Sequence, residues 1–154
     1  MIQVRRGIKA DLTAVLGLIQ ELADYENASD EVQNSVERME QDGFGPAPIF
    51  KFFVAENDGK IVGTAIYYNR YSTWKGRCLY LEDLVVSESQ RGQGIGKLLF
   101  DAIAKEAKTT ECKVLTWQVL DWNEPAIRFY KRLNADLDPE WINCKLTDEQ
   151  IQNY

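Results

Sequence analysis

Hydrophobic and polar positions change their period several times along the chain, and each change marks an element. Ile2 to Arg6 alternates like a short strand; Leu12, Val15, Leu16, Ile19 and Leu22 then recur at helical spacing, with Asp11 placed to cap the helix. A second helix is predicted from about Asp30 to Gln41, with Val32, Val36 and Met39 on one side, stopped by the Gly- and Pro-containing run 42–48. Phe50 to Glu56 and Ile61 to Asn69 are rich in β-branched and aromatic residues. The turn Asn57-Asp-Gly-Lys60 between them predicts an antiparallel hairpin. Tyr71 to Gly76 reads as a loop, and Arg77 to Val86 as a longer strand. Gly94 to Lys108 reads as a helix through Ile95, Leu98, Leu99, Ala102 and Ile103, and Cys112 to Val119 as a strand. Asn123 to Leu133 is helical again, with Asn123 as its cap and Pro125 tolerated in the first turn. Trp141 to Leu146 reads as a last strand.

Antiparallel strands followed by a strand-helix-strand crossover predict an α/β (α+β) fold: one mixed, mostly antiparallel sheet with helices on its faces. The chain has 154 residues, 45% of them hydrophobic, which is one domain's length, 1–154, and enough apolar material for a core. Its 24 acidic and 18 basic residues give a net charge of -6, which argues against a nucleic-acid binder and suits a cationic partner such as an amine. Eight acidic residues between Glu21 and Asp42, against Arg38 alone, form either a solvated helix face or a substrate-attracting rim. There is no histidine. Ser-His and Cys-His relays and a His-ligated metal are therefore excluded, no metal is expected, and any acid or base must be Asp, Glu, Tyr, Lys or Cys. Cys78, Cys112 and Cys144 are odd in number without a C-x-x-C pair, which fits reduced thiols. The opening MIQVRRGIKADL lacks a signal peptide's apolar core, and no stretch nears the roughly 20 apolar residues of a membrane helix. A cytoplasmic location, with no membrane partner, is expected.

The most informative segment is Gln90-Arg-Gly-Gln-Gly-Ile-Gly-Lys97, between a strong strand and a strong helix. Gly92, Gly94 and Gly96 permit a tight turn, and the amides that open the helix point at whatever sits there, with the dipole favouring an anion such as a pyrophosphate. A P-loop requires Ser or Thr after Lys97, where Leu98 stands, and a glycine five before Gly96, where Arg91 stands. A dinucleotide fold requires G-x-G-x-x-G, whereas the spacing here is G-x-G-x-G.

Arg91-Gly-Gln-Gly-Ile-Gly96 resembles the R/Q-x-x-G-x-G/A signature of the GNAT superfamily of acyl-CoA-dependent N-acetyltransferases. Tyr80-Leu-Glu-Asp83, Asp121-Trp-Asn-Glu-Pro-Ala126, Phe129-Tyr-Lys131, Leu22 to Glu26 and Asp42-Gly-Phe-Gly45 resemble its spermidine/spermine N-acetyltransferase group. Tyr71-Ser-Thr-Trp-Lys-Gly-Arg77 and Val119-Leu-Asp-Trp-Asn123 are similar to the thialysine-preferring branch, in which Ser72 stands where the polyamine branch has an aspartate.

The resemblance implies a GNAT-like fold with a strand-helix-strand acyl-CoA-binding core, acetyl-CoA as co-substrate and a homodimer. Acetyl transfer needs a neutral amine, a donor for the developing oxyanion and a proton source for the departing thiolate. Tyr130, at the family's catalytic tyrosine, is the expected acid; a reference pKa near ~10 keeps a tyrosine protonated at neutral pH. Glu82 is expected at the substrate amine, accepting its proton directly or through water. Strand alternation sends Asp83 to the opposite face, where it is structural. Leu84, Val85 and Val86 would offer backbone groups to the pantetheine arm, and Arg91, Gly92, Gln93, Gly94, Ile95 and Gly96 would hold the pyrophosphate. Asn123 contacts the coenzyme arm, caps its helix, or both, with Glu124, Pro125 and Ala126 following it. Tyr25 and Glu26 line the amine pocket or form a solvated helix end. Trp74 covers a cation or anchors a dimer partner. Ser72 and Leu120 are expected to set the choice of amine.

The resemblance implies an N-acetyltransferase acting on a small cationic amine such as thialysine, a lysine analogue or a diamine. Acetylation of a protein lysine and a non-catalytic acyl-CoA sensor are the alternatives. The loop suits a sensor equally well, whereas Tyr130 and Glu82 argue for chemistry.

Overall fold

Five strands form one sheet in chain order: β1 (Ile2–Arg6), β2 (Lys51–Asn57), β3 (Lys60–Ser72), β4 (Gly76–Val86) and β5 (Val114–Thr116). The first three junctions are antiparallel, and β4 and β5 are parallel, joined through the helix α3 (Ile95–Thr109). The computed structural model describes residues 1–154, which divide into two compact units, Met1–Gln118 and Val119–Tyr154. The first contains the whole sheet together with α1 (Leu12–Tyr25), α2 (Val36–Phe44) and α3; the second contains α4 (Glu124–Arg132) and α5 (Asp148–Gln152). No helix is long and apolar enough to cross a membrane.

Helices cover both faces of the sheet, as its alternation requires. Phe52, Val54 and Ile66 pack against Leu12 and Val15 of α1 and Met39 of α2. On the other face Gly63 lets α3 approach: a Cβ there would meet Leu99 Cδ1 at 3.0 Å and Ile95 Cγ2 at 3.4 Å. Leu99 is fully buried, so truncating it to alanine costs about 2–5 kcal/mol. Arg6 reaches the same side and donates to Glu106 of α3 at 2.6 Å and to the Tyr67 hydroxyl at 3.1 Å, which satisfies a carboxylate buried among apolar neighbours.

Several elements follow local chemistry closely. Asp58 and Gly59 both take positive φ in the two-residue β2–β3 turn. Asn123 Oδ1 accepts from the Ala126 amide at 3.3 Å, and Pro125 sits in the first turn of α4.

Others depart from expectation. Asp11 stands at the N-cap position of α1 but does not cap it. Its carboxylate takes two hydrogen bonds from Arg5, at 2.8 and 3.0 Å, and one from the Ile8 amide, and Arg5 holds its acidity above that of an ordinary aspartate. α2 begins six residues later than Asp30, because Ser35 Oγ accepts from the Arg38 amide and Val32 is extended; residues 29–31 form a separate turn. The helix then runs through Asp42 and Gly43 to Phe44. Tyr71 and Ser72 belong to β3, not to a loop, since the β3–β4 pairing continues to Ser72 and Gly76. The Cys112 to Val119 strand shrinks to three residues, the only ones that find partners on β4. Trp141 to Leu146 forms no strand, and a short capped helix, α5, follows at Asp148.

Candidate active site

The β3–β4 register pairs Ile66 with Asp83 and then Tyr67 with Leu81, so Glu82 is the additional residue of a β-bulge. This corrects the expected alternation. Glu82 and Asp83 do not go to opposite faces; both line a single cavity of about 590 Å³ in the first unit. Leu16, Ile19, Met39, Phe50 and Ile66 make its apolar wall, and Tyr68 and Asp42 stand with the two carboxylates on its polar side. An apolar wall facing paired carboxylates accommodates an ammonium group on an aliphatic arm.

The electrostatics follow from this crowding. Burial pushes the Asp83 carboxyl up to about 6, and the negative charges of Glu82 and Glu26 add to the effect. Burial also raises the Glu26 carboxyl above its ordinary value. Tyr68 donates its phenolic proton to Glu82 Oε2 at 2.9 Å. Burial first, and that hydrogen bond and the Glu82 charge next, drive its acidity down, so the phenol remains a donor.

The loop after β4 places its glycines where the turn requires them. Gly92 and Gly94 have φ of 79° and 77°, and a Cβ at either would meet nothing within 4 Å. At Gly94, which precedes α3, glycine is therefore required by the left-handed backbone, not by crowding, and the open space leaves the helix start approachable. No side chain caps α3; its first amides lie ahead of the Leu98 N–H to Gly94 carbonyl bond. These are the groups a pyrophosphate would use. Arg91 donates from Nε to the Val86 carbonyl at 3.2 Å, and its guanidinium lies 5.4 Å from the Tyr25 ring centroid. The glycine loop thus adjoins the end of α1, where Tyr25 and Glu26 stand.

Because β5 pairs only with Cys78 to Tyr80, β4 from Leu81 to Val86 has a strand neighbour on the β3 side alone. Leu84 and Val86 are half-buried there and Val85 is buried. Gln93 completes the loop, whereas Ile95 and Gly96 are already the first two residues of α3, Ile95 being buried under the helix start.

Ser72 and Trp74 lie elsewhere, at the β3–β4 hairpin tip and outside the cavity lining. Ser72 Oγ accepts from the amides of Trp74 and Lys75, and Trp74 is 87% exposed. In the second unit, the Leu120 carbonyl accepts from the Asn123 amide, Glu124, Pro125 and Ala126 form the first turn of α4, and Tyr130 is buried with its ring 5.4 Å from that of Phe129. Sequence reasoning missed Tyr68 and the cavity position of Asp83, and named Asp42 within an acidic run read as a solvated face or a substrate-attracting rim. The Ile66-x-Tyr68 spacing was the available sign for Tyr68.

Comparison with known proteins fixes the class, an acyltransferase. The chain belongs to the acetyltransferase (GNAT) family, whose model matches residues 17–135. It is 42% identical over 142 residues to a thialysine N-epsilon-acetyltransferase of Bos taurus, spanning 87% of this chain and 84% of that one. It is 38% identical over 159 residues to a spermidine/spermine N(1)-acetyltransferase-like protein of Homo sapiens, spanning 97% of this chain and 23% of the other. Among solved structures, an integron cassette protein from the mobile metagenome of V. cholerae superposes with a TM-score of 0.80 at 26% identity, covering 99% of this chain and 96% of the other. The family's donor is acetyl-CoA.

Proposed function

We propose that residues 1–154 act as one N-acetyltransferase domain that moves the acetyl group of acetyl-CoA to a primary amine of a small cationic substrate, of the thialysine, lysine-analogue or diamine class. The observation that carries this reading is the bulge at Glu82, which turns two adjacent carboxylates into one cavity with an apolar wall. The names of the relatives, thialysine N-epsilon-acetyltransferases among them, support the same class.

In this reading Asp83 and Glu82 hold the ammonium, Glu82 takes one proton from it, and the neutral nitrogen then attacks the thioester carbonyl. The nitrogen–carbon bond forms, the carbon–sulfur bond breaks, Tyr130 delivers a proton to the thiolate, and the second proton shed by the nitrogen goes to water, from which Tyr130 is reprotonated. Amides from Arg91 to Gly96 take the pyrophosphate, the Leu84 to Val86 backbone takes the pantetheine arm as an added strand would, and Asn123 to Ala126 contact the same arm. Tyr25 and Glu26 close the amine side. Subunits pair as homodimers in the cytoplasm, by resemblance to the family.

Release of free CoA, followed over a panel of amines, tests this directly. Rapid release with thialysine or diamines supports the reading. Tight acetyl-CoA binding without release favours a sensor, and release only with peptides favours a protein lysine acetyltransferase.

A further inference from the structure

Tyr68 and Tyr80 are register partners on adjacent strands, so their side chains share one face of the sheet. Their rings lie 5.3 Å apart, and the Arg70 guanidinium sits 5.6 Å from the Tyr80 centroid. One row results: the Glu82 carboxylate, the Tyr68 phenol bonded to it, the Tyr80 ring and the Arg70 guanidinium. Arg70 is exposed, and no carboxylate of the chain lies within ion-pair distance of it.

A cation at this place does not suit a diamine or polyamine, whose second ammonium it repels. It suits an anion at fixed reach from the reacting amine. Arg70 stands four residues along β3 from Ile66, the partner of Asp83, about 13 Å at ordinary strand rise, and its arm leans back over Tyr80, the partner of Tyr68, which shortens that reach by about half. A diamino acid of lysine length carries its carboxylate about 7 Å from its ω-nitrogen, from ordinary bond lengths. The flat guanidinium, held against Tyr80, presents paired donors that match a carboxylate.

Resting on the amine-acetylation reading above, we infer that Arg70 is a specificity residue: it binds the α-carboxylate of a diamino acid whose ω-amine enters the cavity at Glu82 and Asp83. The favoured substrate class is then the diamino acid over the corresponding diamine.

The test compares thialysine with its decarboxylated counterpart, the diamine in which hydrogen replaces the carboxylate. In the unmodified enzyme kcat/KM for thialysine exceeds that for the diamine. Arg70→Gln lowers the thialysine value about three- to tenfold, the scale of a charge-assisted contact at a partly exposed site, through KM with kcat held. The diamine value stays level or rises, and Arg70→Lys restores part of the thialysine value. A thialysine-to-diamine ratio that is the same in the unmodified enzyme and Arg70→Gln overturns the inference, as does equal loss with both substrates at an unchanged melting temperature. If the unmodified enzyme releases no CoA with either amine, the amine-acetylation reading itself fails and takes this inference with it. CoA release with both amines but no effect of Arg70 leaves that reading standing and removes the carboxylate contact alone.

Discussion

Tyr68 donates its phenolic proton to Glu82 Oε2 across 2.9 Å, tying the bulged residue of β4 to the neighbouring strand. A carboxylate on a bulge has more freedom than one in a regular ladder, so the phenol fixes where Glu82 points. Tyr68→Phe keeps the ring against Tyr80 and removes only this bond. Steady-state kinetics are expected to show kcat reduced several-fold to tenfold with the melting temperature nearly unchanged.

Asp83 connects stability to function. Its folded-state pKa of about 6 lies above the ordinary aspartate value, so between about pH 4 and 6 the native state holds a proton that the unfolded chain has released. This group's contribution to stability therefore falls as pH rises through that window. Asp83→Asn removes the penalty: thermal melts at pH 7.5 should show a higher melting temperature than the unmodified protein, with the gap closing towards pH 4. The same variant should raise KM for the amine, because the ionised carboxylate is what attracts the ammonium. A lower melting temperature at pH 7.5 would show that Asp83 stabilises the fold instead.

Gly94 adopts φ of 77° with open space around its absent Cβ. Valine there meets no steric neighbour but must enter a left-handed conformation, at a cost of about 1–2 kcal/mol, and its branches occupy the approach to the α3 amides. Calorimetry should show acetyl-CoA affinity reduced tenfold or more in Gly94→Val. Unchanged affinity would separate this loop from the coenzyme.

Tyr130 is buried in α4 beside Phe129. Tyr130→Phe retains the ring and removes the acid, so turnover is expected to fall roughly 10²-fold or more, the scale of general acid catalysis. Turnover at the unmodified level would assign thiolate protonation to another group or to water.

What was legible in the sequence was local. The β2–β3 hairpin followed from Asn57-Asp-Gly-Lys60, α3 from Ile95, Leu99 and Ile103 behind a glycine turn, and the start of α4 from Asn123 and Pro125, because each signal lies within a few residues of its effect. The shared cavity of Glu82 and Asp83 was not legible, since the bulge arises from a one-residue mismatch between β3 and β4 that neither strand shows alone. Pairing likewise decided the short β5 and the absence of a strand at Trp141 to Leu146, whose alternation has no partner strand. Asp11 looks like a cap in the sequence because Arg5, which competes for its carboxylate, lies on a different element.

Transfer to a short amine arm held at Glu82 and Asp83 is decided by the ratio of kcat/KM for thialysine to that for spermidine, measured by CoA release in the unmodified enzyme and in Ser72→Asp. Ser72 lies three residues along β3 from Asn69 at the cavity lining, about 10 Å and within a Debye length, where an added carboxylate would hold a remote ammonium. An aspartate can also accept the Trp74 and Lys75 amides that Ser72 Oγ now takes, so the hairpin tip survives the change. The predicted result is a ratio above one in the unmodified enzyme and a selective rise of the spermidine value, several-fold to tenfold, in Ser72→Asp. A preference for spermidine in the unmodified enzyme, or a ratio that Ser72→Asp leaves unchanged, would contradict it.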